Sequence, residues 1–420
     1  VRGDRREAGG ASPGNGEPTL TGGGAPELVC PTGPAEAAEA LTGGPDAPRV
    51  VVRGGATKLD WGAPVEGVER VVDTAGLDRL VRHDPSDLTA TVQAGVPLQR
   101  LQAELAEAGQ WLALDPPQGD AAGRTATVGG VLATADHGPR RLACGAPRDL
   151  VIGATFALAD GTVARTGGNV IKNVAGFDLA KLLCGSLGTL ALLIDVTVRL
   201  DPLPAATATL SAPATPGQAH ALALALSDAR LEPAAIDHTG QATGHEPGRV
   251  WVRFAARDAA VAAQRRAAAA DVAARHGLST EPVDDDEGLW ADLVAGLAGG
   301  DDETVVAVTT LPSLSAQVAE AVSAGAAAAD VAARWHSHVA LGLHRVALSG
   351  AAPSEHAAVV RALRAAGFRA ELRRRVAGVD DHVDAWVDGE LPSAWPLMRS
   401  VKHRLDPHRR FAPGRFFGGL

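Results

Sequence analysis

The chain has 420 residues, 46% of them hydrophobic and 21% charged, enough to bury a large core and to form two or three domains. Asp and Glu number 49 against 39 Lys and Arg, a net charge of −10, which argues against sequence-independent nucleic-acid binding, since that rests on cations neutralising phosphates. The three cysteines, Cys30, Cys144 and Cys184, make neither a Cys-x-x-Cys pair nor cluster spacing, so no iron–sulfur or cysteine-held zinc centre is expected and a reducing cytoplasm is favoured.

Residues 1–26 are rich in Gly and Pro and lack periodicity, the pattern of a flexible tail. No apolar leader follows the charged start, so no secretory signal is expected, and no apolar run reaches the ~18–20 residues that span a bilayer. Pro34–Leu41 reads as a short helix. Val50-Val51-Val52 reads as a buried strand that runs into Arg53-Gly54-Gly55-Ala56-Thr57-Lys58. A strand ending in a Gly pair can offer backbone N–H groups to a phosphate, although a plain strand-to-loop turn has the same pattern. Val68–Asp73 and Leu88–Ala94 are further strand candidates. Pro97–Ala108 predicts a helix with Leu98, Leu101 and Leu105 on one face.

Thr127-Val128-Gly129-Gly130 again sets a Gly pair beside a hydroxyl, and Gly138–Arg148 is a basic loop with Arg140, Arg141 and Arg148. Val151–Leu158, the Asp160-Gly161 turn and Thr162–Arg165 predict a hairpin. Residues 167–194 read as turn, short helix, Gly turn and buried strand. Asp178 caps the helix, Gly185 and Gly188 bracket the turn, and Ala191–Leu200 is the strand.

Residues 204–395 change character. Helices over His220–Ala229, Ala255–His276, Ser315–Ala329 and His356–Ala366 alternate with strand candidates Val250–Phe254, Thr304–Thr309, Val339–Leu348 and Ala385–Asp388. The acidic run Glu281–Glu287 reads as a solvated loop. In residues 396–420 a helix over Leu397–Leu405 stops at Asp406-Pro407, and a Phe-rich tail follows.

Six motifs in this order resemble one family: Val-x-Arg-Gly-Gly-Ala-Thr-Lys (51–58), Thr-Val-Gly-Gly (127–130), Gly-Pro-Arg-Arg (138–141), Gly-Ala-Pro-Arg-Asp-Leu-Val-Ile-Gly (145–153), Lys-Asn-Val-Ala-Gly-Phe-Asp-Leu (172–179) and Gly-Ser-Leu-Gly-Thr-Leu (185–190). Together they look like the FAD-binding domain of vanillyl-alcohol-oxidase-type (PCMH-type) flavoproteins, and within it most like the FAD-binding subunits of bacterial glycolate oxidases. The likeness covers about residues 29–204 and recurs in the tail at 405–415.

The resemblance implies an α+β chain. A two-subdomain PCMH-type FAD-binding domain occupies residues 27–203. An α/β second domain, serving as cap, substrate domain or subunit interface, occupies 204–395, and a C-terminal segment, 396–420, packs back. It implies that the FAD pyrophosphate lies on Arg53, Gly54, Gly55, Ala56, Thr57 and Lys58. Thr127, Gly129 and Gly130 would lie beside the flavin or ribityl chain, and Gly188, Thr189 and Leu193 on the adenine side. Ala56 stands where the family has a third glycine, Phe177 where it has Tyr, and Ala412 where it has Asn. Covalently flavinylated relatives use a His in or beside the pyrophosphate loop. Thr57 and Lys58 stand here instead, so non-covalent FAD is expected, with Cys144 as the residue to watch.

Oxidation of a 2-hydroxy acid calls for a base near the flavin and a cation for the carboxylate. The eligible run is Arg334-Trp335-His336-Ser337-His338, with His344 and Arg345 nearby. His336 and His338 share a strand face at metal-ligand spacing, but a half-exposed strand without a third ligand is the plainer reading. No catalytic residue and no metal are assigned. Three functions follow as expectations. The first is the FAD-binding subunit of a glycolate oxidase complex, partnered by a second flavoprotein and an iron–sulfur subunit. It would be cytoplasmic, with any membrane association made through partners. The second is a stand-alone oxidase or dehydrogenase of another hydroxy acid or polyol. The third is a non-catalytic, complex-organising subunit.

Overall fold

A computed structural model of the chain describes residues 25–119, 123–168, 176–242 and 247–420. All but the last two residues of the expected tail, and positions 169–175 of the central stretch, lie outside them.

The first half is built on two sheets. In the smaller, Glu27–Val29, Arg70–Asp73 and Val50–Arg53 run parallel, with Val51 opposite Val71 and Val52 opposite Val72. The larger is antiparallel, in the order Leu80–Asp84, Thr89–Gln93, Leu192–Arg199, Val151–Ala157, Val163–Gly167. Between them runs the Thr127 turn, which opens into a helix over Val128–Thr134. There the Thr127 hydroxyl accepts the Gly130 N–H at 3.2 Å. The Leu98–Ala106 helix buries Leu98, Leu101 and Leu105 as its periodicity predicts, with Pro97 just outside it. Asp178 caps the Leu179–Leu183 helix by accepting the Lys181 N–H.

The second half folds around one antiparallel sheet of eight strands. Its central four are Arg249–Ala256, Ala235–Gln241, Ala332–His338 and Leu343–Ser349. One face is apolar. Ile236, Val250, Val252, Phe254, Val306, Val308, Val346, Leu348 and Leu372 pack there under helices Pro216–Asp228, Ala259–Arg275, Ser315–Ala329 and Pro353–Ala365. By the period of two, the opposite face carries Asp237, Arg253, His336, His338, Arg345, Glu371 and Arg373. That alternation would suit a face turned to water. Here Asp237, His336, His338 and Glu371 are buried, and Arg345 reaches Asp136 of the first half.

Three expectations differ from the structure, and three strands were not expected at all. Val339–Leu348 is not one strand: Gly342, at φ +65°, lies in the turn between Ala332–His338 and Leu343–Ser349. Ala385–Asp388 is irregular, although Ala385 and Trp386 are buried against the helical layer. The acidic run is no solvated loop. Glu281–Val283 pairs with the Ala206–Pro213 strand, Asp285 caps a helix, and Asp286 forms a buried ion pair with Arg253 at 2.8 Å. Finally, the strands at Ala206–Pro213, Ala235–Gln241 and Arg369–Arg374 carry polar residues on one face and escaped the apolar-run criterion.

The C-terminal segment returns to the first half and is locked there by one buried cation. The Lys402 ammonium donates to the carbonyl of Thr189 (2.7 Å), to Asp406 Oδ2 (2.7 Å) and to the carbonyl of Phe411 (2.9 Å). Asp406, itself fully buried, also accepts the N–H groups of Arg410 and Phe411. Arg410 then donates to the carbonyls of Pro48 and Leu41, and the Arg410–Ala412 backbone extends the small parallel sheet beside Val50. Ala412 sits at φ +39°, a left-handed conformation that Asn tolerates better than other side chains. Removing the carboxylate by Asp406→Ala strands the Lys402 charge, and breaking such a buried pair costs about 3–5 kcal/mol. The expected result is a lower urea midpoint. A midpoint equal to that of the parent chain would show that the segment is not locked this way.

Candidate functional site

The Val50–Arg53 strand ends in a loop that lies against the Thr125–Gly130 turn with almost no space between them. A Cβ on Gly55 would collide with the Thr125 carbonyl, and one on Gly54 with the Thr127 hydroxyl. Gly129 packs as tightly on the other side, where a Cβ would stand 2.7 Å from that of Ala94, and its N–H donates to the Ala94 carbonyl. These glycines are therefore needed for chain-to-chain contact. Their closeness leaves the loop's outer edge bare. The N–H groups from Gly55 to Asp60 have no acceptor among the described residues. Ala56 is held at φ +58°, so the missing third glycine is replaced without loss of the left-handed turn.

That edge forms one wall of a cleft of about 730 Å³, part of it open to solvent. Of the residues singled out in the sequence, Gly54, Gly55, Ala56, Thr57, Lys58, Thr127, Gly129, Gly130, Gly188 and Leu193 line it together. Arg53 and Thr189 do not. Arg53 turns away to Asp73 Oδ2 (2.7 Å), and the Thr189 hydroxyl donates to the Ser186 carbonyl (2.7 Å). The lining also includes Thr74, Ala94, Ala133, Thr134, Ser186 and Arg415, which sequence reasoning missed. Arg415 comes from the far end of the chain. It donates to the Leu59 and Leu187 carbonyls, and its burial pushes the guanidinium down to about 10.

A row of unpaired amide donors, small residues and two cations, Lys58 and Arg415, suits a long ligand with an anionic middle. The residues present therefore fit a dinucleotide flavin. Comparison with known proteins agrees. Residues 26–167 match the FAD binding domain family. Residues 26–167 are an FAD-binding domain. Over 161 residues the chain is 38% identical to glycolate oxidase subunit GlcE of Escherichia coli (strain K12), a match covering 38% of this chain and 45% of that one. Over 401 residues it is 27% identical to D-2-hydroxyglutarate dehydrogenase of Xanthomonas citri pv. viticola, covering 88% of this chain and 84% of that one. A solved alkyldihydroxyacetonephosphate synthase superposes with a TM-score of 0.67 at 15% identity, covering 93% of this chain and 77% of that one, and shows the shared fold. The chain thus spans less than half the length of the GlcE relative it matches.

Thr134 borders both the FAD cleft and a second cavity of about 930 Å³, roofed by the polar face of the eight-stranded sheet. Trp61 stands on its wall under two guanidinium groups, Arg373 at 4.8 Å and Arg345 at 5.3 Å from the ring centre. Burial, with Arg345 beside it, pushes Arg373 down to about 10. His137 and His338 face the same space, and His137 Nδ1 and His338 Nε2 are buried without a partner; His344 alternates onto the face of Val346 and Leu348, where its Nε2 is also bare. Burial holds His344 down at about 3 and His137 well below its usual range, so both are neutral.

His336 and His338 are buried, not half-exposed, and Asp237 stands as a third polar group beside them. Burial by itself would raise the Asp237 carboxyl, but the two imidazoles outweigh it and hold it down at about 2. The three side chains bring ligand atoms within 4.8 Å of one another. The His–Asp separations of 2.5 and 2.8 Å are nevertheless hydrogen-bond lengths, shorter than the roughly 3.3 Å between ligands of a tetrahedral zinc with bonds of about 2.0–2.1 Å. The group is a hydrogen-bonded triad.

His344 and His137 are neutral when folded but charge near pH 6.5 when unfolded. The unfolded state therefore binds more protons below that pH, and stability falls as pH drops. Urea midpoints are expected to be flat above pH 7 and to decline from pH 6.5 to 5, more shallowly in His344→Gln. An equal slope in that variant would place the effect elsewhere.

Proposed function

We propose that this chain is the non-covalent FAD-binding subunit of a 2-hydroxy acid oxidase complex, oxidising glycolate to glyoxylate and passing the electrons to partner subunits. The observation that carries this reading is the cleft itself, where nine residues from three separate turns meet, with Leu193 of the following strand, along a row of free amide donors. Bound there, FAD supplies the two-electron acceptor. The protein's part is to hold it. The N–H groups of Gly55 to Leu59, with Lys58, would hold the pyrophosphate, and the small residues Gly129, Gly130 and Ala133 would allow close contact along the flavin.

Non-covalent binding is supported by the thiols. Cys144 lies outside the cleft lining, and burial pushes its thiol up to about 11, which leaves little thiolate to attack a flavin. The iron–sulfur centre is assigned to a partner because this chain's three cysteines share no cluster spacing. Our reading places the complex in the cytoplasm, with any membrane attachment made through partners; among the described residues no helix is long and apolar enough to cross a membrane. A stand-alone hydroxy acid dehydrogenase is the second reading, favoured by the cation-lined cavity next to the cleft.

The test is the visible spectrum of the purified chain. It should show flavin that acid precipitation releases, bleached anaerobically by glycolate, D-lactate or D-2-hydroxyglutarate. Colourless protein, or flavin that no such acid bleaches with or without partner subunits, would sink the proposal. Gly55→Ala should force the two turns apart and weaken FAD binding by about tenfold or more, roughly 1.4 kcal/mol, with unchanged far-ultraviolet dichroism.

A further inference from the structure

The C-terminal segment reaches both walls of the FAD cleft. On one side it lies along the strand that leads into the glycine turn at 54–58. The Val50 N–H donates to the Arg410 carbonyl at 2.7 Å, and the Ala412 N–H donates to the Val50 carbonyl at 2.8 Å. On the other side Lys402 donates to the carbonyl of Thr189, and the preceding residue, Gly188, lines the cleft. Asp406 holds both ends of this arrangement. It accepts from the Lys402 ammonium and from the N–H groups of Arg410 and Phe411, yet it does not itself line the cleft.

Arg415 spans the gap between the walls. Its Nη2 donates to the carbonyl of Leu59 at 2.9 Å, and its Nη1 donates to the carbonyl of Leu187 at 3.4 Å. Leu59 and Leu187 both line the cleft, one on each wall, and so does Arg415. The main chain of Arg415 is pinned as well, because its carbonyl accepts the Ala63 N–H and the Trp386 Nε1–H, each at 2.9 Å. One donor is left over. Arg415 is only 4% exposed, and its Nε–H is buried with no acceptor. Two carbonyl dipoles do not neutralise a buried guanidinium, and a buried N–H without a partner is costly. An oxygen of a ligand in the cleft would complete it.

We propose, on the flavin reading above, that the C-terminal segment is a strap that sets the width of the cleft and gives FAD a direct contact through Arg415 Nε–H, so that docking of the strap and binding of the cofactor are one linked equilibrium. Arg415 is the binding residue. Lys402 and Asp406 are positioning residues, which act on the cofactor only through Thr189 and through the backbone at 410–412. The linkage runs both ways: a change that loosens the strap weakens FAD binding, and FAD tightens the strap by the same factor.

The experiment titrates FAD into the flavin-free full chain and follows flavin fluorescence. Hydrogen exchange is then compared with and without FAD. Arg415→Met is expected to weaken FAD binding by about tenfold or more, as for loss of a charge-assisted contact. Asp406→Asn, which keeps the size of the side chain and removes its charge, should weaken it by about fivefold or more, the scale of an ordinary coupling between two sites. Arg404→Met, at an exposed position of the same segment, should leave it within about twofold. In the parent chain, FAD should slow exchange of the amides at 410–412 about fivefold more than exchange in the Ser315–Ala329 helix. That measurement needs no substitution, so it decides the matter even if Asp406→Asn fails to fold. A parent chain that binds no FAD sinks the flavin reading and this one together. FAD bound by the parent, and bound as tightly by Arg415→Met or by a folded Asp406→Asn, overturns the strap alone. Equal slowing of exchange in the segment and in the helix overturns it too, because FAD would then stabilise the fold as a whole.

Discussion

Everything in the cleft follows from one close approach. Two turns, one after the Val50–Arg53 strand and one before the Val128–Thr134 helix, touch through Gly54 and Gly55 with no side chain between them. Because the contact uses the side where a Cβ would stand, the amide edge of the first turn faces outward and unpaired. The glycines therefore act indirectly. They press protein against protein, and the free donors are a consequence.

The second half uses the same economy on a larger scale. Its sheet alternates apolar and polar positions as a solvent-facing sheet does, yet much of the polar face is buried over the FAD-binding domain. Burying polar groups is tolerated only where they are paired or complete a ligand. Most are paired: Asp286 with Arg253, Glu371 with two arginines, and Asp237 with two imidazoles. Two of the exceptions, His137 Nδ1 and His338 Nε2, border the cavity beside Thr134. The C-terminal segment closes the arrangement. Lys402 ties it to Thr189, and Arg415 brings a cation to the cleft from beyond the last helix.

Much of this was legible in the residues. Helices with a clear apolar stripe, such as Leu98–Ala106 and Ser315–Ala329, and strands with a continuous apolar run, such as Thr304–Thr309, lie where the pattern puts them. Strands with one polar face, such as Ala235–Gln241, were hidden, because a run of Asp, His, Thr and Gly carries no apolar signal. The Glu281–Glu287 run misled for the same reason. Charge usually means solvent, and only the fold brings Arg253 up to Asp286.

What the sequence determined by itself is local. Strand–glycine–glycine turns, helix caps and apolar periods depend on neighbouring residues, and six such motifs in order were enough to point to an FAD-binding domain. What only the tertiary structure decided is coincidence in space. Asp237 lies about a hundred positions from His336 and His338, and Arg415 lies more than two hundred from Leu187. No periodicity links such residues. Their meeting is set by strand order and by the return of the tail, which are fixed by packing across the whole chain.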